Sequence, residues 1–365
     1  MIQKAIISGG GTGGHIFPAV AIANGLKEQN PNIEILFVGA EGKMEMEKVP
    51  AAGYKIIGLP IRGLQRKLTL SNLALPFKIL KSYFMAKKII KDFKPDVVVG
   101  VGGYASAPTL IAATRLGVPS VVQEQNSFPG KTNIYLSKKV NKICVAHKGL
   151  ERFFPANKIV FTGNPVRTEV AAIEGKRELA LKSFNLSTDK QTILVLGGSL
   201  GALTLNNSVQ KHLDSLHKAD VQVIWQCGKF YKERLSKEVD TNKYSNIVLT
   251  DFIPEMQLAY AAADVIISRA GALSVSEIAL VGKPSILVPS PNVAEDHQTH
   301  NANSLVNEGA ALLVKDNTAV EELIPLSLQL LNNPAFQNKL KGNLKALARP
   351  NATQDIVQVL MDLKA

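Results

Sequence analysis

A run of small residues, Gly9-Gly10-Gly11-Thr12-Gly13-Gly14, follows the apolar segment Ala5-Ile6-Ile7 and leads directly into His15. Backbone without side chains lets a phosphate approach closely, and a helix starting there offers N–H groups and a positive dipole end. A tight structural turn is the competing reading, although six glycine or threonine residues in a row exceed what a turn needs. His15 has the chemistry of a general base for an attacking hydroxyl. Its alternatives are binding an acceptor or phosphate, or capping the loop. Three further groups stand in comparable settings. Glu124 lies in Gln123-Glu124-Gln125-Asn126, Arg167 follows Gly163-Asn164-Pro165-Val166, and Glu277 follows the Gly271 turn.

Known phosphate-binding patterns fit these loops poorly. Gly9–Gly14 formally contains G-x-G-x-x-G, but a dinucleotide site wants an acid at the end of the second strand. That strand ends in Gly39-Ala40-Glu41, where the acid comes late, behind a glycine. Gly130-Lys131-Thr132 has the ending of a P-loop, yet Gln125 occupies the required upstream glycine position. Without an Asp-x-Asp motif, no metal is expected at a sugar-nucleotide diphosphate, and no cofactor is implied. Helix dipoles, backbone amides and a cation such as Arg167 must then offset the charge on a departing diphosphate.

The elements that position these groups repeat one pattern: an unbroken apolar run, a glycine-rich turn, then a helix. It occurs at Ala5-Ile6-Ile7, at Val97-Val98-Val99 before Gly102-Gly103-Tyr104, at Ile193–Leu196 before Gly197-Gly198-Ser199, and at Val265-Ile266-Ile267 before Arg269-Ala270-Gly271. Such runs are buried parallel strands, and their alternation with helices implies βαβ units. The expected fold is α/β, with two Rossmann-like domains at residues 1–163 and 164–345. The last segment, 346–365, reads as a helix that could pack back on the first domain. Ligands of open α/β sheets bind beyond the carboxyl ends of the strands, which points to a cleft between the domains.

Composition narrows the class. The 365 residues suit two α/β domains, and 46% hydrophobic with 20% charged residues is globular. Cys144 and Cys227 stand alone, which argues against a disulfide framework or zinc site and fits a reducing compartment. No signal peptide is expected. The uncharged stretch Val97–Thr114 is broken by Gly102, Gly103, Ser106 and Pro108, so it reads as strand, loop and helix start instead of a membrane span.

The net charge of +12 is unevenly placed: residues 1–163 carry 22 Lys/Arg against 9 Asp/Glu, the remainder 20 against 21. Within 61–94, Ile61, Leu64, Leu68, Leu70, Leu73, Leu75, Phe77, Ile79, Leu80, Tyr83 and Phe84 mix with Arg62, Arg66, Lys67, Lys78, Lys81, Lys87, Lys88, Lys91 and Lys94, with Asp92 the lone acid. Apolar side chains ringed by cations suit an anionic membrane surface. The alternative is a core helix with a basic outer face. Nucleic acid is not expected, because aromatic stacking residues are sparse and no recognition motif appears.

Taken together, Gly10–Ala19, Gly102–Pro108, Gln123–Asn126, Gly163–Arg167, Gly197–Ala202 and Ser268–Glu277 resemble the peptidoglycan N-acetylglucosamine transferase (MurG) family of the glycosyltransferase-B fold. The resemblance runs in order from the first strand to about residue 310. It implies inverting, metal-independent transfer from UDP-N-acetylglucosamine to the C4 hydroxyl of an undecaprenyl-diphospho-muramyl-peptide, at the cytoplasmic face of the cell membrane. Carried onto this sequence, Ser199 would hold the diphosphate and Ile253 the uracil edge. Glu277 would hold the ribose hydroxyls, with Ala272, Leu273 and Ser274 beside it, and Gln298 the sugar. Thr12, Gly13, Gly14, Asn126 and Arg167 would approach the donor from the other side. Gly10, Gly11, Gly102, Gly103 and Tyr104 would hold acceptor or phosphate. His15 would be the base, and Glu124 its supporting partner or the base itself. For Glu277 the plainer reading is an acid complementing a helix dipole. Rival functions are a UDP-N-acetylglucosamine 2-epimerase or natural-product glycosyltransferase, an NAD-dependent oxidoreductase, and a non-catalytic nucleotide-binding adaptor.

Overall fold

The computed structural model describes residues 1–62, 75–198 and 200–364. Two compact units form: Met1–Arg167 with Asn351–Ala365, and Thr168–Pro350.

Among the described residues, the first unit holds a seven-stranded parallel sheet in the order β3-β2-β1-β4-β5-β6-β7. The strands are β1 (Lys4–Ser8), β2 (Glu34–Ala40), β3 (Lys55–Leu59), β4 (Val97–Gly100), β5 (Ser120–Glu124), β6 (Lys142–Val145) and β7 (Ile159–Phe161). Side chains alternate across the sheet, and both faces are covered. Ile7, Val97, Val99 and Val121 pack with Ile16 and Ile22 on one side, while Ile6, Val98 and Val122 pack with Ala86, Ile90 and Leu110 on the other. Two-sided burial is why these strands read as unbroken apolar runs. The uncharged stretch beginning at Val97 is β4, a loop, and the helix Ser106–Arg115.

The last helix, Ala352–Lys364, packs on the helix Gly13–Gln29 and completes the core of the first unit with Ile356, Val357 and Leu360. Gly25 permits the close approach, since a Cβ there would lie 2.6 Å from Thr353 Cγ2 and 3.1 Å from Val357. Burying three aliphatic side chains stabilises this return by several kcal/mol, at about 1.5–3 kcal/mol each as an upper estimate.

The second unit holds a parallel sheet in the order β10-β9-β8-β11-β12-β13. Its strands are β8 (Thr192–Leu196), β9 (Gln222–Gln226), β10 (Ile247–Thr250), β11 (Val265–Ser268), β12 (Ser285–Leu287) and β13 (Leu312–Leu313). Trp225 is fully buried, and its indole N–H donates to Asn206 Oδ1 at 2.9 Å, so the ring brings no unpaired donor into the core. In each unit the strand order reverses beside a central strand, between β1 and β4 and between β8 and β11. The glycine loops follow these four strands, where crevices for ligands open in such sheets.

Candidate functional site

In the first unit the loops after β1 and β4 touch backbone to backbone. A Cβ on Gly103 (φ +85°) would lie 2.4 Å from the Gly10 carbonyl oxygen, and the Gly10 amide donates to the Gly102 carbonyl at 3.3 Å. His15 opens the helix Gly13–Gln29 and lies against Gly102, where a Cβ would come within 2.8 Å of its ring. Its Nδ1 is 2.9 Å from the Gly10 carbonyl oxygen, with Thr12 Oγ1 at 3.4 Å. A carbonyl can only accept, so Nδ1 carries the hydrogen and the lone pair of the neutral ring resides on Nε2. That is the tautomer a proton acceptor at Nε2 requires. Thr12, Gly11 and Gly14 are exposed beside it, and Tyr104 stands half exposed beyond Gly103.

Glu124 ends β5 and is buried. Oε1 accepts from the Asn126 amide (3.0 Å) and Nδ2 (3.2 Å), and Oε2 accepts from Asn133 Nδ2 (2.8 Å) and the Gly130 amide (3.3 Å). Burial raises its pKa, and these four donors oppose the rise. A carboxylate so enclosed is placed to hold the 126–133 loop, and with it Asn126. As a base it would have to abandon that loop. Three residues before Arg167, Asn164 accepts from Gln123 Nε2 and donates to the Gln125 carbonyl, each at 3.0 Å, and Arg167 itself is exposed. Its guanidinium is 5.9 Å from the ring of Phe17, so it shares a face with the helix that carries His15.

His147 lies in the same network. It donates to the Gln125 carbonyl, and its Nε2 is buried with no protein partner among the described residues. Burial lowers its pKa from 6.5 to about 4. The folded state therefore favours the neutral ring, whereas the unfolded chain takes up a proton near pH 6.5. The corresponding stability is complete above that pH and is lost as pH falls towards 4. Denaturant unfolding of His147→Gln should lose less stability than wild type between pH 7 and 4.5, by about 2 kcal/mol. Parallel pH curves for the two proteins would remove His147 as the cause.

In the second unit Gly198, Gly201 and Gly228 all have positive φ, and a Cβ on Gly228 would strike the Gly201 amide at 2.1 Å. Gln226 Nε2 donates to the Gly198 and Asp251 carbonyls, both at 2.8 Å, which gathers the loops after β8 and β10. Ile253 is buried in the second of these. Ser199 lies outside the described residues. Ala272, Leu273 and Ser274 form the first turn of the helix Ala272–Val281, directly after Gly271. The first four amides of a helix have no partner within it, so this turn is suited to an anion.

Glu277 belongs to the second turn of that helix, and no acid stands in the first. Helix-dipole effects fall off within the first turn, so the plainer reading of Glu277 loses its support. Glu277 instead accepts from the hydroxyl of the buried Tyr260, Oη to Oε2, at 2.8 Å. Gln298 Oε1 accepts from the Ala270 and Ser290 amides at 3.2 and 2.9 Å. What this side chain can add for a ligand is its Nε2 donor.

Three residues missed in the sequence reading shape these loops. Arg269 is mostly buried and ties the Val288 carbonyl (3.1 Å) to Asp316 Oδ1 (2.5 Å), joining the turns after β11, β12 and β13. Tyr260 holds Glu277. Glu45, only 1% exposed, accepts from the Gly11 amide at 2.7 Å and the Ala40 amide at 3.0 Å. An acid after β2 does reach the first glycine loop, but it is Glu45, not the Glu41 that the dinucleotide pattern draws attention to. Its signal was the acid-rich helix start Glu45-Met46-Glu47. Among the described residues, no group of three or more His, Cys, Asp or Glu side chains is arranged to hold a metal ion.

The basic helix is Leu75–Phe93. Ser82, Ala86 and Ile90 are buried, while Phe77 (76%), Leu80 (54%) and Phe84 (56%) are exposed on the opposite face. At i, i+3 and i+7 these three form one stripe, and Lys81, Lys88 and Lys91 flank it on the same outward side. Leu64, Arg66, Lys67, Leu68, Leu70 and Leu73 lie outside the described residues. No helix among the described residues is long and apolar enough to cross a membrane.

Residues 5–145 match the glycosyltransferase family 28 N-terminal domain, and residues 192–356 match the C-terminal domain of that family. Over 99% of its length the chain is 56% identical to the UDP-N-acetylglucosamine–N-acetylmuramyl-(pentapeptide) pyrophosphoryl-undecaprenol N-acetylglucosamine transferase of Cytophaga hutchinsonii, 96% of which is covered. It is 32% identical to the crystal structure of Acinetobacter baumannii MurG, with a TM-score of 0.80 and 99% of both chains covered. The UDP-N-acetylglucosamine 2-epimerase of Neisseria meningitidis, solved with UDP-N-acetylglucosamine, aligns with a TM-score of 0.67 over 98% of this chain and 99% of its own. At 16% identity that likeness is one of fold alone.

Proposed function

The chain belongs to glycosyltransferase family 28 and, within it, to the MurG transferases, and from that premise we propose that it moves N-acetylglucosamine from UDP-N-acetylglucosamine to the muramyl sugar of an undecaprenyl-diphosphate-linked peptide. Identity of 56% over 99% of the chain carries this reading, and it sets the 2-epimerases aside. The acceptor's C4 hydroxyl oxygen attacks the anomeric carbon as the bond to the diphosphate breaks. His15 Nε2 takes the hydroxyl proton, and UDP leaves with inversion. In place of a metal, the positive end of the helix that begins at Ala272 offsets the charge on the leaving diphosphate. Glu124 holds Asn126 in place and takes no proton itself. The direct test is UDP release with and without a lipid-diphospho-muramyl-peptide. Release that depends on this acceptor is the expected result. Release without it, or formation of the 2-epimer, would overturn the proposal.

The donor is assigned to the Thr168–Pro350 unit, where Glu277 receives the ribose hydroxyls. Its Oε2 accepts from Tyr260, which fixes the carboxylate, and a carboxylate's acceptor-only oxygens suit two vicinal hydroxyls. Glu277→Ala should weaken UDP-N-acetylglucosamine binding by about 1–3 kcal/mol, as for loss of hydrogen bonds to a charged group. Tyr260→Phe, which frees the carboxylate to turn, should cost less. A 2′,3′-dideoxyribose donor should bind weakly to wild type and lose little more with Glu277→Ala. Strictly additive losses would exclude the ribose assignment.

The acceptor's lipid keeps it in a bilayer, so the enzyme must dock there. The stripe Phe77, Leu80 and Phe84 with its lysines is the docking face, peripheral and on the cytoplasmic side.

A further inference from the structure

A base at His15 Nε2 works only while Nδ1 keeps its hydrogen and the ring keeps its orientation. The shorter contact of Nδ1 is to the Gly10 carbonyl, which lies between two residues of positive φ, Gly10 at +153° and Gly11 at +88°. Glycines leave a peptide group free to turn over. Something must hold it.

We infer that Glu45 is the positioning residue for His15, acting through the Gly10–Gly11 peptide group. The Gly10 carbonyl and the Gly11 N–H belong to one planar unit and point in opposite directions. Glu45 Oε2 accepts the N–H at 2.7 Å, and His15 Nδ1–H donates to the carbonyl at 2.9 Å, so the plane is clamped at both ends. The other oxygen, Oε1, is anchored by the Ala40 amide at the end of β2, which fixes the clamp to the sheet. The carboxylate has a fitted recess. A Cβ on Gly10 would lie 2.2 Å from Glu45 Cδ, and a Cβ on Gly39 would lie 2.6 Å from its Cγ. Hydrogen bonds in series polarise one another, so the carboxylate also makes the Gly10 carbonyl a stronger acceptor for the ring N–H. Carboxylates orient the histidine of hydrolytic triads directly; here a peptide group stands between the two.

The inference rests on His15 being the base, and its test separates the two ideas. Ring-¹⁵N histidine spectra report the tautomer of His15, whose signal is identified by its loss in His15→Ala. Wild type should show the Nδ1–H form. Finding the Nε2–H form would overturn the inference without any variant. Glu45→Gln preserves size but turns an amino group toward either the Gly11 or the Ala40 amide, which it cannot accept. Its His15 signal should shift to a tautomer mixture, and kcat should fall about 10–100-fold, as for loss of a group that orients a ligand or base, with substrate KM values within about twofold. In the His15→Ala background the same substitution should cost nothing more. An unchanged tautomer in Glu45→Gln, or losses that multiply in the double variant, would show that Glu45 only braces the loop. If His15→Ala instead keeps wild-type kcat, the base assignment fails, and the tautomer spectra still decide whether Glu45 orients the ring.

Discussion

Replacing His15 by alanine is expected to lower kcat by about 10²–10⁴-fold, the usual contribution of a general base in the transition state. The size follows from what the ring does and what else is present. The acceptor hydroxyl must lose its proton as it attacks, and water cannot reproduce a group whose Nδ1 is held at 2.9 Å by the Gly10 carbonyl. Glu124 offers no substitute, because both its oxygens are occupied by Asn126, Gly130 and Asn133. UDP affinity should stay close to wild type, since the groups assigned to the donor's nucleotide belong to the Thr168–Pro350 unit. Loss in kcat and in kcat/KM together is the mark of an interaction made in the transition state. An unchanged kcat with a raised acceptor KM would move His15 to a binding role.

The second large effect concerns the membrane. Reversing Lys81, Lys87 and Lys91 to Glu should detach the protein from anionic vesicles. Each cation near such a surface is worth about 1 kcal/mol, so three lost attractions weaken binding by about two orders of magnitude, before the added repulsion. Lys88 is left in place because it pairs with Asp92 at 2.9 Å on the same helix. Salt should weaken wild-type binding in the same way, because the attraction decays over a Debye length. Phe77→Ser with Phe84→Ser should reduce binding even at low salt, since burial of apolar side chains is not screened. Both variants should bind UDP normally and turn over a water-soluble short-chain acceptor, while failing on full-length lipid in vesicles. Should the charge-reversed protein sediment with anionic vesicles as wild type does, this helix is not the docking face.

Some of this was legible in the order of residues alone. Unbroken apolar runs followed by glycine turns specify buried parallel strands, because burial on both faces removes the polar alternation. The glycine loops, His15 and the helix starts could be placed at the ends of those strands by counting along the chain. The resemblance of six motifs in order pointed to the family that the comparisons support. A basic, apolar segment was also visible, although its outward face was not: only packing against the sheet decides that Ala86 turns in and Phe84 turns out.

What the sequence could not supply were contacts set by strand order. β1 pairs with β2 on one side and with β4 on the other, which brings Gly10 against Gly103 across more than ninety residues of chain. The same arrangement sends Glu45 back to the Gly11 amide, a partner that no spacing rule selects. For Glu277 the sequence left a helix-start acid as the alternative to a ribose ligand, and only the helix places it in the second turn, facing a tyrosine from another helix. Glu124 could be read from the sequence as a partner of His15 or as the base itself, and the four donors on its oxygens come from a loop that only the fold sets beside it. Propensity and periodicity act between near neighbours, so they determine the elements. The hydrogen-bond partners of a buried carboxylate depend on which elements lie side by side, and that is decided only when the sheet assembles.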